Sequence, residues 1–247
     1  MTRRHSKRKK QPKPRPLLGR LTRGPWLLAI VVLGAVGAFA AILAVSLLTQ
    51  GDNTIERLEG IPVEGRTRGD PDAPVTIIEF ADFQCPACGL FSQTTGNDIE
   101  EEYVATGLVR FEFRNMAFIG PESQAAAEAA LCANEQGKFW EYHDKLFQRQ
   151  EGENRGAFSD DRLRRFAEDL ELDPDLFDTC LAGTENEQTV LDETDAAGDA
   201  GVESTPYFFV QVTGSTDVER VKGGKPFDEF SRIIEQKLEE AATTPQS

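Results

Sequence analysis

Val75-Thr76-Ile77-Ile78-Glu79-Phe80-Ala81-Asp82-Phe83-Gln84-Cys85-Pro86-Ala87-Cys88 is the stretch whose reading decides the fold. Its first six residues are a short β-branched and aromatic run, which predicts a buried strand. The turn-rich Gly69-Asp70-Pro71-Asp72-Ala73-Pro74 punctuates the chain just before it. After Cys85 a helical pattern runs to about residue 104, with Pro86 suited to a first turn that needs no N–H. Cys85-x-x-Cys88 therefore sits at a strand-to-helix junction. The unsatisfied amides and the dipole of the helix N-terminus favour a thiolate at the first sulfur and make it a nucleophile. The second cysteine, one turn on, is shielded and can close a disulfide on the first. The alternatives are a zinc half-site and a structural bridge. Zinc usually brings a second close pair, whereas Cys132 and Cys180 stand alone and one of the two histidines is His5, far from the pair. Redox chemistry without a metal is the reading.

Outward from that stretch, residues 109–113 alternate as a second strand. Residues 122–200 switch to helix, with segments at 123–133, 138–150, 159–170, 174–181 and 187–200, and Ser159 as an N-cap. Two further strands follow at 207–212 and 218–221, closed by Gly223-Gly224, and then an amphipathic helix at 227–241. Phe230, Ile233, Ile234 and Leu238 share one face of it. The order is β-α-β, a helical block, then β-β-α: an α/β fold interrupted by helices. Residues 242–247 read as a C-terminal tail. Phe139, Trp140, Tyr142 and Phe147 read as core of the helical block, and His143 as a helix-surface residue.

The chain has 247 residues and a formal net charge of −15, but that charge is unevenly spread. Residues 1–24 hold ten cations and no acid, and residues 25–48 hold no charge at all. The remaining 17 basic and 42 acidic residues leave −25 on the rest of the chain. From Trp26 to Leu48 the uncharged apolar run, as a helix, spans roughly 34 Å, enough to cross a bilayer. It is long for a cleaved signal peptide. The expectation is a basic cytoplasmic tail at 1–24, a transmembrane signal anchor at 25–48, and everything later outside the cytoplasm by the positive-inside rule. A nucleic-acid arm is the weaker reading of the basic run. Residues 49–68, polar and without a period, read as a linker.

Three stretches together resemble the DsbA-like thiol–disulfide oxidoreductases of the thioredoxin superfamily: residues 69–74, residues 79–88, and Ser204-Thr205-Pro206-Tyr207-Phe208-Phe209-Val210. A fourth, residues 136–144, is similar to that family's helical insertion. The resemblance spans roughly residues 67–240. It implies a thioredoxin-like domain at 69–241 with the insertion at about 122–200. It also implies that Cys85 exchanges disulfides with substrate, that Cys88 resolves the mixed disulfide, and that Glu79 is a buried carboxylate assisting proton transfer. Independently of the family, a buried resolving thiol must lose a proton and a nearby carboxylate can take it; the alternative places Glu79 on a solvated edge. Thr205-Pro206 matches the cis-proline loop against the dithiol. Pro86-Ala87 is the dipeptide that tunes redox poise, and the best-known oxidant of the family has histidine where Ala87 stands. Outside the cytoplasm two leftover cysteines tend to pair, and some members carry a second bridge. Cys132–Cys180 is therefore expected as a structural disulfide, with two inert buried thiols as the alternative. The implied activity is a dithiol oxidase for exported proteins with cysteines, needing no cofactor. It would be reoxidised by a quinone-linked membrane enzyme and held at the cell membrane by one helix, with nucleic acid no partner. The alternatives are a reductase or isomerase and a redox-inert binding module.

Overall fold

The computed structural model describes residues 61–243. The basic tail, the apolar stretch and the expected linker up to residue 60 lie outside them. Among the described residues no helix is long and apolar enough to cross a membrane.

A six-stranded sheet carries the domain, in the order β1-β2-β4-β3-β5-β6. Its strands are β1 (Val63–Glu64), β2 (Thr67–Arg68), β3 (Val75–Ala81), β4 (Val109–Asn115), β5 (Tyr207–Val212) and β6 (Val218–Lys222). Only β3 and β4 are parallel; every other pair is antiparallel. β3 is central, and its period of two sorts side chains onto two covered faces. Val75, Ile77, Glu79 and Ala81 point one way and Thr76, Ile78 and Phe80 the other. The first face meets the main core, which includes Phe91, Phe113, Phe208 and Phe230. The second meets a smaller cluster of Phe80, Met116, Ala197 and Val202.

The helices are α1 (Pro86–Gln93), α2 (Thr95–Ile99), α3 (Pro121–Glu135), α4 (Phe139–Gln148), α5 (Asp160–Asp169), α6 (Pro174–Leu181), α7 (Glu185–Asp199) and α8 (Phe227–Thr243). The five helices from α3 to α7 form the helical insertion, as the sequence pattern implies. The single helix expected from Pro86 to about residue 104 is interrupted. Thr94 leaves helical geometry at φ −127° and ψ −96°, and the last turn, Glu100–Val104, has π-type spacing. Residues 242 and 243, read as tail, belong to α8.

Two other sequence readings are corrected. Residues 61–68, assigned to a linker, form the β1–β2 hairpin, which pairs onto β4 through Thr67↔Glu112 and Arg68↔Phe111. Gly65 turns the chain at φ +58°, and two-residue strands are too short to leave a period. His143, read as a helix-surface residue, is 2% exposed. It packs edge-on to Phe83, Phe113, Trp140 and Phe147, with ring centroids 4.8–5.8 Å away. Its Nδ1 meets the Asp144 carboxylate at 2.8 Å. Phe139, Trp140, Tyr142 and Phe147 are all buried around it. Cys132 on α3 and Cys180 on α6 are bonded, with Cα atoms 5.7 Å apart.

Candidate active site

Cys85 stands where β3 has ended and α1 begins. It is the N-cap of α1 in extended geometry (φ −69°, ψ 116°), and Pro86 takes the first helical position. Its side chain makes no capping hydrogen bond in this geometry, and the helix's unsatisfied first-turn amides lie beside it. Cys85 is 7% exposed and Cys88 fully buried, while Pro86 and Ala87 between them face solvent. In this structure the two cysteines are unbonded thiols.

The two sulfurs are driven apart chemically. The Cys85 pKa falls from 9.0 to about 6. The largest cause is the hydrogen bond from the Cys88 thiol; burial opposes it, and the Thr205 side chain and the amides of Cys88 and Ala87 add to the fall. As a thiol, Cys85 Sγ donates to the Thr205 carbonyl at 3.4 Å. As a thiolate it can draw on the Thr205 hydroxyl, a buried group with no other hydrogen-bond partner. Cys88 is pushed well above its ordinary value, first by burial and then by its bond to Cys85 and the charges of Cys85 and Glu79.

Thr205-Pro206 is a cis peptide, and its Thr205 carbonyl is the group that meets Cys85. The loop is braced by the Gly223 amide, which donates to the Pro206 carbonyl at 2.9 Å.

Glu79 is 2% exposed, and its Oε1 has no hydrogen-bond partner. In register it lies between Phe113 on β4 and Phe208 on β5. Burial lifts its pKa to about 8, with Arg68 opposing and Cys85 adding to the rise. Its carboxyl is thus held mostly neutral at pH 7, and once ionised its charge raises the Cys88 thiol further.

Arg68 is the site residue that sequence reasoning missed, because it fell in the supposed linker. It is 7% exposed, pairs with Glu100 at 2.8 Å and lies 4.1 Å over the Trp140 ring. The hairpin delivers it to the Glu79 face of the sheet, in a row with Phe111 and Ile77.

A second set of polar side chains fixes the loop that carries Cys85. The buried Asp82 carboxylate accepts from Gln84 N, Ser123 Oγ, Phe118 N and Ile119 N at 2.6–3.0 Å. Gln84 Nε2 donates to Ser123 Oγ at 2.8 Å, and its Oε1 accepts from Asn154 N. Gln150 Nε2 donates to the carbonyls of Phe83 (2.7 Å) and Cys85 (3.0 Å). Gly89 leaves room for it: a Cβ there would stand 2.4 Å from Gln150 Oε1 and would displace this amide. The insertion therefore grips the dithiol loop at three points.

A family model described as Thioredoxin matches residues 62–236. The probable disulfide bond formation protein D of Bacillus anthracis is 30% identical over 174 residues, 69% of this chain and 76% of that protein. The chain belongs to the DsbA-like family of the thioredoxin superfamily. The crystal structure of alpha-DsbA1 from Wolbachia pipientis shares the fold, with a TM-score of 0.66 and 23% identity over 75% of this chain and 97% of that one. The Na(+)/H(+) antiporter NhaA 3 of Salinispora tropica is 40% identical over 151 residues, 60% of this chain. The chain spans about a fifth of the length of that antiporter, matching 22% of it.

Proposed function

We propose that this chain is a membrane-anchored, extracytoplasmic dithiol oxidase that passes the Cys85–Cys88 disulfide to exported proteins carrying cysteines. The observation that carries this reading is the split between the two sulfurs, Cys85 held toward the thiolate and Cys88 held as a thiol. A thiolate stabilised at Cys85 favours the reduced form, which makes the disulfide a better oxidant. The name of the Bacillus anthracis relative, a probable disulfide bond formation protein, points the same way.

In the reaction a client thiolate attacks Cys85 of the oxidised pair. A client–Cys85 disulfide forms, the Cys85–Cys88 bond breaks, and Cys88 leaves with the electron pair. Glu79, protonated at neutral pH, returns a proton to the buried Cys88 sulfur, which would otherwise carry charge in a dry site. A second client thiolate then attacks the client sulfur of the mixed disulfide, releasing Cys85 as its stabilised thiolate. The client ends oxidised and the dithiol reduced by two electrons. A quinone-linked membrane oxidase would take those electrons back, with the apolar stretch at 25–48 and its ten flanking cations keeping the two enzymes in one membrane.

Oxidative refolding of a reduced, disulfide-containing client tests this. Cys85→Ser is expected to abolish catalysis, and full activity in that variant would overturn the mechanism. A Cys85 pKa of about 6 lies between about 7 in thioredoxin and about 3.5 in DsbA. The Cys85–Cys88 potential, measured against glutathione, is therefore expected between about −270 and −120 mV. A value at the thioredoxin end would turn the reading to a reductase or isomerase.

A further inference from the structure

The described domain is acidic almost everywhere: residues 61–243 hold 16 Lys and Arg against 39 Asp and Glu. Six of those cations, Lys145, Arg149, Arg155, Arg162, Arg164 and Arg165, nevertheless fall within 21 residues. They run from the end of α4 through the following loop into α5. Between these elements lies a depression of about 370 Å³ lined by Arg149, Arg162, Arg165, Phe166 and Asp169.

The acids around this cleft are bonded by other cations, and the charge of Arg149 acts on them only through space. Asp169 is held by Lys145 at 2.8 Å. Glu151 takes a two-point pair from Arg162 at 2.7 and 2.6 Å. Arg165 uses only Nε, on the Asp161 backbone carbonyl at 3.1 Å. Arg149 makes no side-chain hydrogen bond or close ion pair among the described residues. Both Arg149 and Arg165 are exposed and line the same depression, where Arg162 lies over the Phe166 ring at 5.9 Å. Planar guanidinium groups recognise a carboxylate through paired N–H donors.

Along the chain, the cleft lies one residue from a contact with the dithiol loop. Gln150, the neighbour of Arg149, is the residue whose amide donates to the Cys85 carbonyl at 3.0 Å. A path from Cys85 through Gln150 to the head of a fully extended Arg149 can reach on the order of 10–15 Å, about three to five residues of extended chain.

We propose that the Arg149–Arg165 cleft docks an acidic side chain of the client, placed about three to five residues from the cysteine that Cys85 engages. This rests on the oxidase reading above. The negative surface around the cleft disfavours an acidic segment in other registers, so the cleft sets register and selectivity more than overall affinity.

The test uses the full chain in detergent and two dithiol peptides, one with Glu at those positions and one with Gln. The ratio of kcat/KM for the two is internal to each protein, so a general loss of activity cancels. A preference of about three- to tenfold for the Glu peptide is expected at low salt, falling toward one at about 0.5 M salt. The same loss is expected in R149Q/R165Q. A ratio of one in the unmodified protein overturns the proposal, as does a preference that survives in the double variant. If neither peptide is oxidised, the oxidase reading itself fails and takes this inference with it.

Discussion

Two acids in the site are moved in opposite directions, and the pH dependence of stability separates them. In the reduced protein Cys85 falls from 9.0 to about 6. Between those values the unfolded chain holds a proton that the folded one has released. Its contribution to stability therefore grows from pH 6 to 9 and is lost as pH falls through 6. Glu79 rises from 4.5 to about 8. Over that window the folded state holds the extra proton, so stability falls as pH rises from 4.5 to 8. Each group supplies a slope of up to about 1.4 kcal/mol per pH unit, and between pH 6 and 8 they oppose each other. Glu79→Gln removes the falling limb alone. Relative to the unmodified reduced protein, this variant is expected to gain stability steadily from pH 5 to 8, measured by urea unfolding at each pH. Parallel curves would mean that Glu79 is not held protonated by the fold. The burial of Glu79 was legible in the sequence, because Ile77, Ile78 and Phe80 around it form a strand too apolar for a solvated edge. The burial of His143 was not: its neighbours Glu141, Asp144 and Lys145 look like a helix surface. Only the tertiary packing of five aromatic rings around the imidazole reveals otherwise.

Among elements, the β1–β2 hairpin contributes most to the site for its length. The strands of the central sheet and the five insertion helices could be read from period and capping, because each is long enough to repeat its pattern. The hairpin could not, since a strand of two residues has no period, and neither could the break at Thr94, where the chain leaves the helix two residues before Gly96. Yet the hairpin supplies Arg68, the cation nearest in effect to Glu79, and Arg66, whose guanidinium pairs with Glu193 on α7 at 2.7 and 2.5 Å. Arg68→Met breaks the buried pair with Glu100 and removes the charge over Trp140. Breaking a buried pair from one side costs about 3–5 kcal/mol, and that loss is expected in chemical denaturation. The same variant should lift the Glu79 pKa further, extending the upper end of the falling limb of stability to higher pH. Arg68→Lys, which keeps the charge, is expected to leave that limb near its place while still losing stability. If Met and Lys variants shift the limb equally, the effect is packing and not charge.

For the molecule as a whole, the design is a sheet whose one face holds the buried acid and whose insertion clamps the dithiol loop, so rigidity of the insertion and chemistry at Cys85 are separable. The Cys132–Cys180 bridge tests that separation. It spans a sequence separation of 48 residues and joins α3 to α6. The chain-entropy model assigns about 4 kcal/mol to closing a loop of that length. Cys132→Ala/Cys180→Ala should therefore lower stability by about that amount, less whatever structure the unfolded chain retains. The grip on the active-site loop comes from the other end of α3, where Ser123 bonds Asp82 and Gln84. Nine residues of helix, about 13.5 Å, separate Ser123 from Cys132. The double variant should then keep the Cys85–Cys88 potential within about 10 mV of the unmodified protein, a free-energy change of about half a kcal/mol. A shift of about 30 mV or more would show instead that α3 transmits the state of the bridge to the dithiol. The insertion would then be part of the redox machinery and not only its support.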